Sequence, residues 1–170
     1  DQFLAFQLTL VGLTAIGFAS FFALLRRVFE VPRYLAVAGA LIFAFSNMNF
    51  LKVGHSQHLT IEFIPLLVLF GFKAVSSVAT APGRAALFSG LMGVGLALVF
   101  FTSFYIGWFF VLASLVFVPV LLALTWPGVM AMVKAHPVAV AACLLAFSAS
   151  FLVALTPFLL TYLPVLLEGR

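Results

Sequence analysis

Charged residues are scarce in this sequence. Lysine, arginine, aspartate and glutamate make up 7% of the 170 residues, whereas a soluble domain carries roughly a quarter. Because 66% of the residues are hydrophobic, too few polar side chains remain to cover a surface in contact with water. The composition therefore excludes an ordinary soluble domain and indicates an integral membrane protein surrounded by membrane lipids.

Cysteine and several functional motifs are also lacking. The single Cys143 excludes a disulfide within the chain. The sequence has no Walker A loop, no Gly-x-Ser-x-Gly elbow, no His-Glu-x-x-His pair and no helix with repeated arginines. These absences argue against nucleotide-driven chemistry, a serine hydrolase, a zinc protease and a voltage sensor. The basic residues are single charges between apolar runs, so no nucleic-acid partner is predicted.

Long apolar runs fill most of the chain. A helix needs about 20 apolar residues to cross a bilayer, and we predict an all-α, polytopic bundle of about six transmembrane helices in a single transmembrane domain. Polar links, prolines and the Trp126-Pro127-Gly128 sequence divide the runs. The predicted spans are 3–25, 34–51, 59–72, 85–104, 105–125 and 137–156, followed by a kinked interfacial segment at 157–167.

Basic residues also predict how the chain is oriented. Six of them fall on one side of the predicted spans and two on the other, and positive charge marks the cytoplasm. The turn after the second span and the hairpin at 102–105 are thus expected outside the cytoplasm. The chain begins with Asp1, and its first apolar run is followed by basic residues instead of being preceded by them, unlike a signal peptide. We therefore expect a segment of a longer multi-pass protein of a bacterial cytoplasmic membrane.

Small residues recur every four positions in several of the apolar runs. In lipid, such stripes allow helix backbones to approach closely. We therefore expect helix contacts along four sets of residues: Ala15, Ala19 and Ala23; Ala36, Ala40 and Ala44; Ala86 and Gly90; Ala142, Ala146, Ser150 and Ala154.

The most polar stretch of the chain is 52–58, which contains His55 and His58, and Glu62 follows it. If this stretch is helical, His55, His58 and Glu62 share one face, because they are spaced i, i+3 and i+7. Such a face can act in acid–base chemistry, bind phosphate or hold a divalent metal. The alternative is that these side chains extend to water from the membrane interface, where Glu62 is expected about 5 Å along the helix.

Four further residues are candidates for substrate binding, and three of them have an ordinary alternative. Lys52 can contact a phosphate-bearing substrate or a lipid phosphate, and Asn49 can line a cavity or cap the second helix. Gln57 lies between the two histidines. Tyr105 lies near a predicted helix end, where an aromatic belt is the usual explanation.

Three short sequences resemble the GT-C superfamily of membrane glycosyltransferases, in particular its YfhO-like and protein-mannosyltransferase-like members. They are Ala-Gly-Ala-Leu-Ile-Phe-Ala-Phe-Ser at 38–46, Gly-His-Ser-Gln-His at 54–58 and Ile-Pro-Leu-Leu at 64–67. The sequence Pro-Phe-Leu-Leu-Thr-Tyr-Leu-Pro at 157–164 is similar to the passage in such proteins from a membrane span into an outer segment.

The resemblance implies an enzyme that takes a sugar from a polyprenyl-phosphate donor at the extracytoplasmic face and passes it to a glycan, lipid or protein acceptor. In the family the catalytic acidic residue lies in the first outer loop, upstream of this segment. No cofactor is predicted with certainty beyond an optional divalent metal. A transporter or lipid flippase, with Glu62 and the histidines binding substrate or protons, and a non-catalytic membrane subunit remain alternatives.

Overall fold

The computed structural model of the chain describes residues 1–46 and 61–167, with side chains as far as Thr161. Over these residues the chain forms six α-helices and no strand, which confirms the predicted all-α class. The helices are α1 (Gln2–Arg27), α2 (Arg33–Ala44), α3 (Ile64–Ser77), α4 (Pro82–Thr102), α5 (Phe104–Ala135) and α6 (Pro137–Leu167).

Four of the described helices, α1, α4, α5 and α6, are long and apolar enough to cross a membrane. A protein with four such helices is an integral membrane protein. Helices α1 and α4 begin and end within three residues of the predicted spans. Helix α5 contains 32 residues, which at 1.5 Å per residue is about 48 Å and longer than the hydrocarbon core.

Two helices continue past the ends of predicted membrane spans. Helix α5 does not stop at Thr125, because it continues through Pro127 and Gly128 to Ala135. Helix α6 continues through Pro157 into the predicted kinked segment at 157–167. Prolines are tolerated inside membrane helices, since neighbouring groups and local adjustments satisfy the freed backbone carbonyls. The rule that proline ends a helix was therefore too strong here.

Helices α2 and α3 also differ from their predicted bounds. Helix α2 ends at Ala44 instead of residue 51, and the N–H of Phe45 closes it by donating to the Leu41 carbonyl. It covers only about 18 Å, too little to cross the hydrocarbon core. Helix α3 begins at Ile64 after a 3₁₀ turn at 61–63 and continues to Ser77, past the predicted end at Phe72. Lys73 lies within α3, and its ammonium group lies over the ring of Phe88, 5.0 Å from the centroid.

The chain divides into two compact units, Asp1–Phe72 and Lys73–Arg170. In the first unit α2 packs against α1, and the residues of its predicted alanine stripe, Ala36, Ala40 and Ala44, are all buried. Stacking of Phe21 on Phe43, at 4.6 Å between ring centroids, also joins the two helices.

The predicted stripe of α1 is not its packing face. Ala15 and Ala19 are exposed, and the buried positions of the helix are Gly17, Ser20 and Leu24. These three are spaced i, i+3 and i+7 and form one face of the helix. Two interleaved sets of small residues occur in α1, and the periodicity of one set alone did not identify the set that packs.

In the second unit α4 packs most extensively against α6. The Ser150 hydroxyl of α6 donates to the Gly90 carbonyl of α4 at 2.8 Å. Gly93 lies against the α6 backbone, where an added Cβ would be 2.5 Å from the Phe147 carbonyl oxygen and 3.0 Å from the Phe151 nitrogen. This helix pair confirms the predicted role of small residues at Gly90 and Ser150.

A tight hairpin joins α4 to α5, as predicted. Ser103 is its only non-helical residue, and its hydroxyl caps α5 by accepting from the N–H of Ile106. Aromatic rings from all three helices of the second unit meet near the hairpin, with neighbouring centroids 5.8–6.3 Å apart. They are Phe100, Phe101, Phe104, Trp108, Phe151 and Phe158.

Candidate functional site

Two of the seven predicted site residues, Glu62 and Tyr105, fall within the described part of the chain. The others lie in 47–60, outside the described residues: Asn49, Lys52, His55, Gln57 and His58. The common helical face of the two histidines with Glu62 therefore stays a prediction. Glu62 itself lies in the 3₁₀ turn that precedes α3.

The Glu62 side chain is fully buried in the protein, with 0% of its surface exposed. It lies against Gly17 of α1 within the first unit. A Cβ built on Gly17 would overlap the carboxyl oxygen Oε2 and would lie 2.6 Å from Cδ and 3.1 Å from Cβ of Glu62. The carboxyl group therefore occupies the volume that any other residue at position 17 would fill with its side chain.

The depth of Glu62 differs from the expectation that it lies near the membrane interface. Gly17 is about 15 Å from the Arg27 end of α1 and about 22 Å from its Gln2 end. Glu62 therefore lies level with the middle part of a helix that is long enough to cross the membrane. The expected depth was measured from Leu59 as the start of a helix, but α3 begins only at Ile64.

The burial of Glu62 differs from the alternative in which this side chain extends to water. An ionisable side chain within a membrane-spanning bundle is costly to place there, and such residues usually face the bundle interior and serve function. Glu62 faces the protein interior in this way, because α1 covers its carboxyl group.

Local sequence explains why Glu62 is held in this position. Pro65 is the second residue of α3, where its missing N–H leaves no intrahelical hydrogen bond unmade. Pro65, Leu67 and Leu69 are buried after it. The start of α3 is therefore anchored by apolar packing, and the turn at 61–63 places Glu62 on the protein side.

Sequence reasoning missed Gly17, the residue that makes room for Glu62. A glycine in a helix interior costs about 1 kcal/mol relative to alanine and usually has a packing or functional reason. That signal was present in the sequence, but it did not identify the partner. Only the packing of the turn at 61–63 on α1 does so.

Tyr105 belongs to the second unit and is the second residue of α5. Its side chain is 69% exposed, and its ring contacts Phe104 edge-on at 6.2 Å. An exposed tyrosine at a helix end fits an aromatic belt as well as a binding role. Its assignment to substrate binding therefore stays a prediction.

Within the described residues no metal site adds to Glu62 and Tyr105. Among residues 1–46 and 61–167 no three His, Cys, Asp or Glu side chains lie together. A groove of about 350 Å³ in the second unit lies between α4, α5 and α6. Its one polar side chain, Ser114, donates to the Phe110 carbonyl of its own helix. The groove thus offers an apolar surface.

Comparisons with known proteins give no relative. No protein-family model, no curated protein and no solved structure matches the chain. The likeness to the GT-C superfamily therefore depends on the short sequences at 38–46, 54–58 and 64–67.

Proposed function

We propose that this chain is the membrane-embedded part of a GT-C-type glycosyltransferase. It transfers a sugar from a polyprenyl-phosphate donor, at the extracytoplasmic face of a bacterial cytoplasmic membrane, to a glycan, lipid or protein acceptor. The family resemblance and the predicted orientation support the reaction and the side. One structural observation supports a functional centre near residue 62, namely the burial of the Glu62 carboxyl group in a membrane protein.

The chemistry of the proposed reaction determines what the polar residues do. The bond between the sugar's anomeric carbon and the phosphate oxygen breaks, and a bond to the acceptor hydroxyl oxygen forms. The acceptor proton passes to a base, which we assign to no residue of this chain. Negative charge develops on the departing phosphate, and Lys52, His55 and His58 are the side-chain types that stabilise it.

Glu62 acts through the histidines in this proposal. A carboxylate near an imidazole favours its protonated form, and a protonated imidazole binds phosphate more strongly than a neutral one. Glu62 follows His58 by four residues. We therefore assign Glu62 to charging and positioning His58, and not to contact with the sugar.

The experiment is sugar transfer by the full-length protein in membranes, with radiolabelled polyprenyl-phosphate glucose, mannose and galactose as donors. Glu62→Gln and His58→Ala are each expected to lower transfer at least roughly tenfold per folded protein, which is about 1.4 kcal/mol. Matched controls are Glu30→Gln, at an exposed carboxylate, and His136→Ala, at the end of α5. Both controls should transfer normally. Normal sugar transfer by Glu62→Gln and His58→Ala would contradict the assignment of these two residues to the site.

A lipid flippase is the second candidate, and the depth of Glu62 favours it. Transporters place ionisable side chains near the middle of the membrane and use helices that do not cross it completely. Helix α2 is about 18 Å long, and Glu62 lies level with the middle part of α1. Proteoliposomes with a fluorescent phospholipid distinguish the two functions. Flipping by the wild-type protein that Glu62→Gln abolishes, without sugar transfer, would replace the glycosyltransferase proposal.

A further inference from the structure

Gly17 combines three features within α1. It lies in the helix interior, where glycine is the least favoured residue apart from proline. It is buried, and the space beside its Cα is filled by a carboxyl group that belongs to another segment of the chain. Gly12 in the same helix has no atom within 4 Å of its absent side chain. Close packing therefore requires glycine at position 17, and nothing in the structure requires it at position 12.

The partner of Gly17 also differs from that of Gly39 in α2. A Cβ at Gly39 would meet the end of the flexible Leu25 side chain at 2.9 Å, which can move aside. At Gly17 it would meet Oε2, Cδ and Cβ of Glu62 together. Because the Glu62 side chain is fully buried, the carboxyl group can move away from Gly17 only by displacing the atoms packed around it.

We propose that Gly17 is a positioning residue for the Glu62 carboxyl group, so that α1 determines where this carboxylate lies. The effect on sugar transfer rests on the proposed function, whereas the coupling between positions 17 and 62 does not. A side chain at position 17 would push the carboxyl group away from the position that it now occupies against α1.

The first test measures the apparent melting temperature of the full-length protein in detergent. Gly17→Ala is expected to lower it by at least about 3 °C, because a methyl group overpacks the site. In a Glu62→Ala background the same Gly17→Ala change should cause a much smaller loss, since Oε2 and Cδ are gone, only the 3.1 Å contact with the Cβ of residue 62 remains, and alanine favours the helix. Gly12→Ala is the matched control and should cause no loss in either background.

The second test asks whether position matters to activity. Glu62→Asp alone should lower sugar transfer, because it withdraws the carboxyl group by one methylene. In the Gly17→Ala background, Glu62→Asp should instead raise transfer at least about threefold, because the shorter side chain leaves room for the methyl group. A role of Gly17 in folding alone predicts that Glu62→Asp lowers transfer in both backgrounds.

The outcomes separate this inference from the proposed function. Equal losses of melting temperature for Gly17→Ala with and without Glu62 would overturn the inference, because Gly17 would then be required by another neighbour. Coupled melting temperatures with no rescue by Glu62→Asp would overturn the positioning role. Coupled melting temperatures in a protein that transfers no sugar would contradict the proposed function and leave the coupling established.

Discussion

Gly17 in the first unit and Gly93 in the second are both buried glycines inside apolar helices, and their neighbours differ. Gly93 faces α6, where an added Cβ would overlap the Ser150 hydroxyl and would also lie close to two backbone atoms, the Phe147 carbonyl oxygen and the Phe151 nitrogen. Gly17 faces the side chain of Glu62. The first arrangement is the ordinary use of a small residue between membrane helices. The second arrangement makes room for a carboxyl group, and the packing of one helix on another does not need such a group.

This difference determines which substitutions can compensate. A clash with a side chain disappears when that side chain is shortened, as proposed for Gly17 and Glu62. A clash with backbone atoms persists whatever residues occupy the neighbouring helix. The difference between the two glycines can therefore be tested by asking whether a second substitution in the neighbouring segment restores the stability lost when the glycine is replaced.

The largest effect on stability is expected for Gly93→Ala. The added methyl group would lie 2.5 Å from a backbone oxygen, so α4 and α6 would have to separate along their whole contact. We expect a loss of about 2–3 kcal/mol in unfolding free energy, at the upper end of overpacking costs. The measurement is reversible unfolding of the detergent-solubilised protein in SDS.

Gly83→Ala is the control for this prediction, because Gly83 lies in the first turn of the same helix with no atom within 4 Å of its absent side chain. It should leave the unfolding free energy unchanged or raise it slightly. Phe147→Ala should not rescue Gly93→Ala, since the clashing atom of residue 147 is its backbone oxygen. If Phe147→Ala restored the unfolding free energy of Gly93→Ala, the proposed difference between Gly93 and Gly17 would be wrong.

A smaller effect is expected for Ser150→Ala, which removes the hydrogen bond from α6 to the Gly90 carbonyl. Hydrogen bonds between membrane helices contribute about 0.6 kcal/mol on average and about 1.7 kcal/mol at most. We expect a loss within this range in the same SDS unfolding measurement. Ser114→Ala is the control, because its hydroxyl bonds within α5 alone. Equal losses for the two variants would contradict a role of Ser150 between helices.

The sequence predicted the parts of the fold that depend on apolar content and on simple spacing. The all-α class follows from composition, and the stripe of Ala36, Ala40 and Ala44 identified the packed face of α2. The packing face of α1 was assigned to the wrong residues. Gly17 and Ala19 lie on different faces of the helix, and small residues recur on both, so their spacing alone does not show which face packs. The segments that pack on α1, among them the turn at 61–63 against Gly17, decide between those faces, and no local pattern contains that information.

Prolines and polar residues were predicted less well, for a physical reason. The rule that proline ends a helix comes from water-soluble proteins, where the carbonyl groups freed by proline can bond to water. Pro127 and Pro157 instead lie inside helices that are apolar enough for lipid. Glu62 was singled out from its chemistry and neighbours in sequence. Its depth was misjudged because the first apolar residue of a run does not mark the start of a helix.

The contact between positions 17 and 62 is the central claim, and a disulfide tests it most directly. The Cβ of Glu62 is 3.1 Å from a Cβ built on Gly17, close to the 3.5–4.5 Å that a disulfide requires. In a Cys143→Ala background, Gly17→Cys with Glu62→Cys should form an intramolecular disulfide under mild oxidation in membranes. Protection from a maleimide polymer, reversed by reductant, reports it. Gly12→Cys with Glu62→Cys should remain reduced, and two fully reactive thiols in the 17–62 pair would contradict the account.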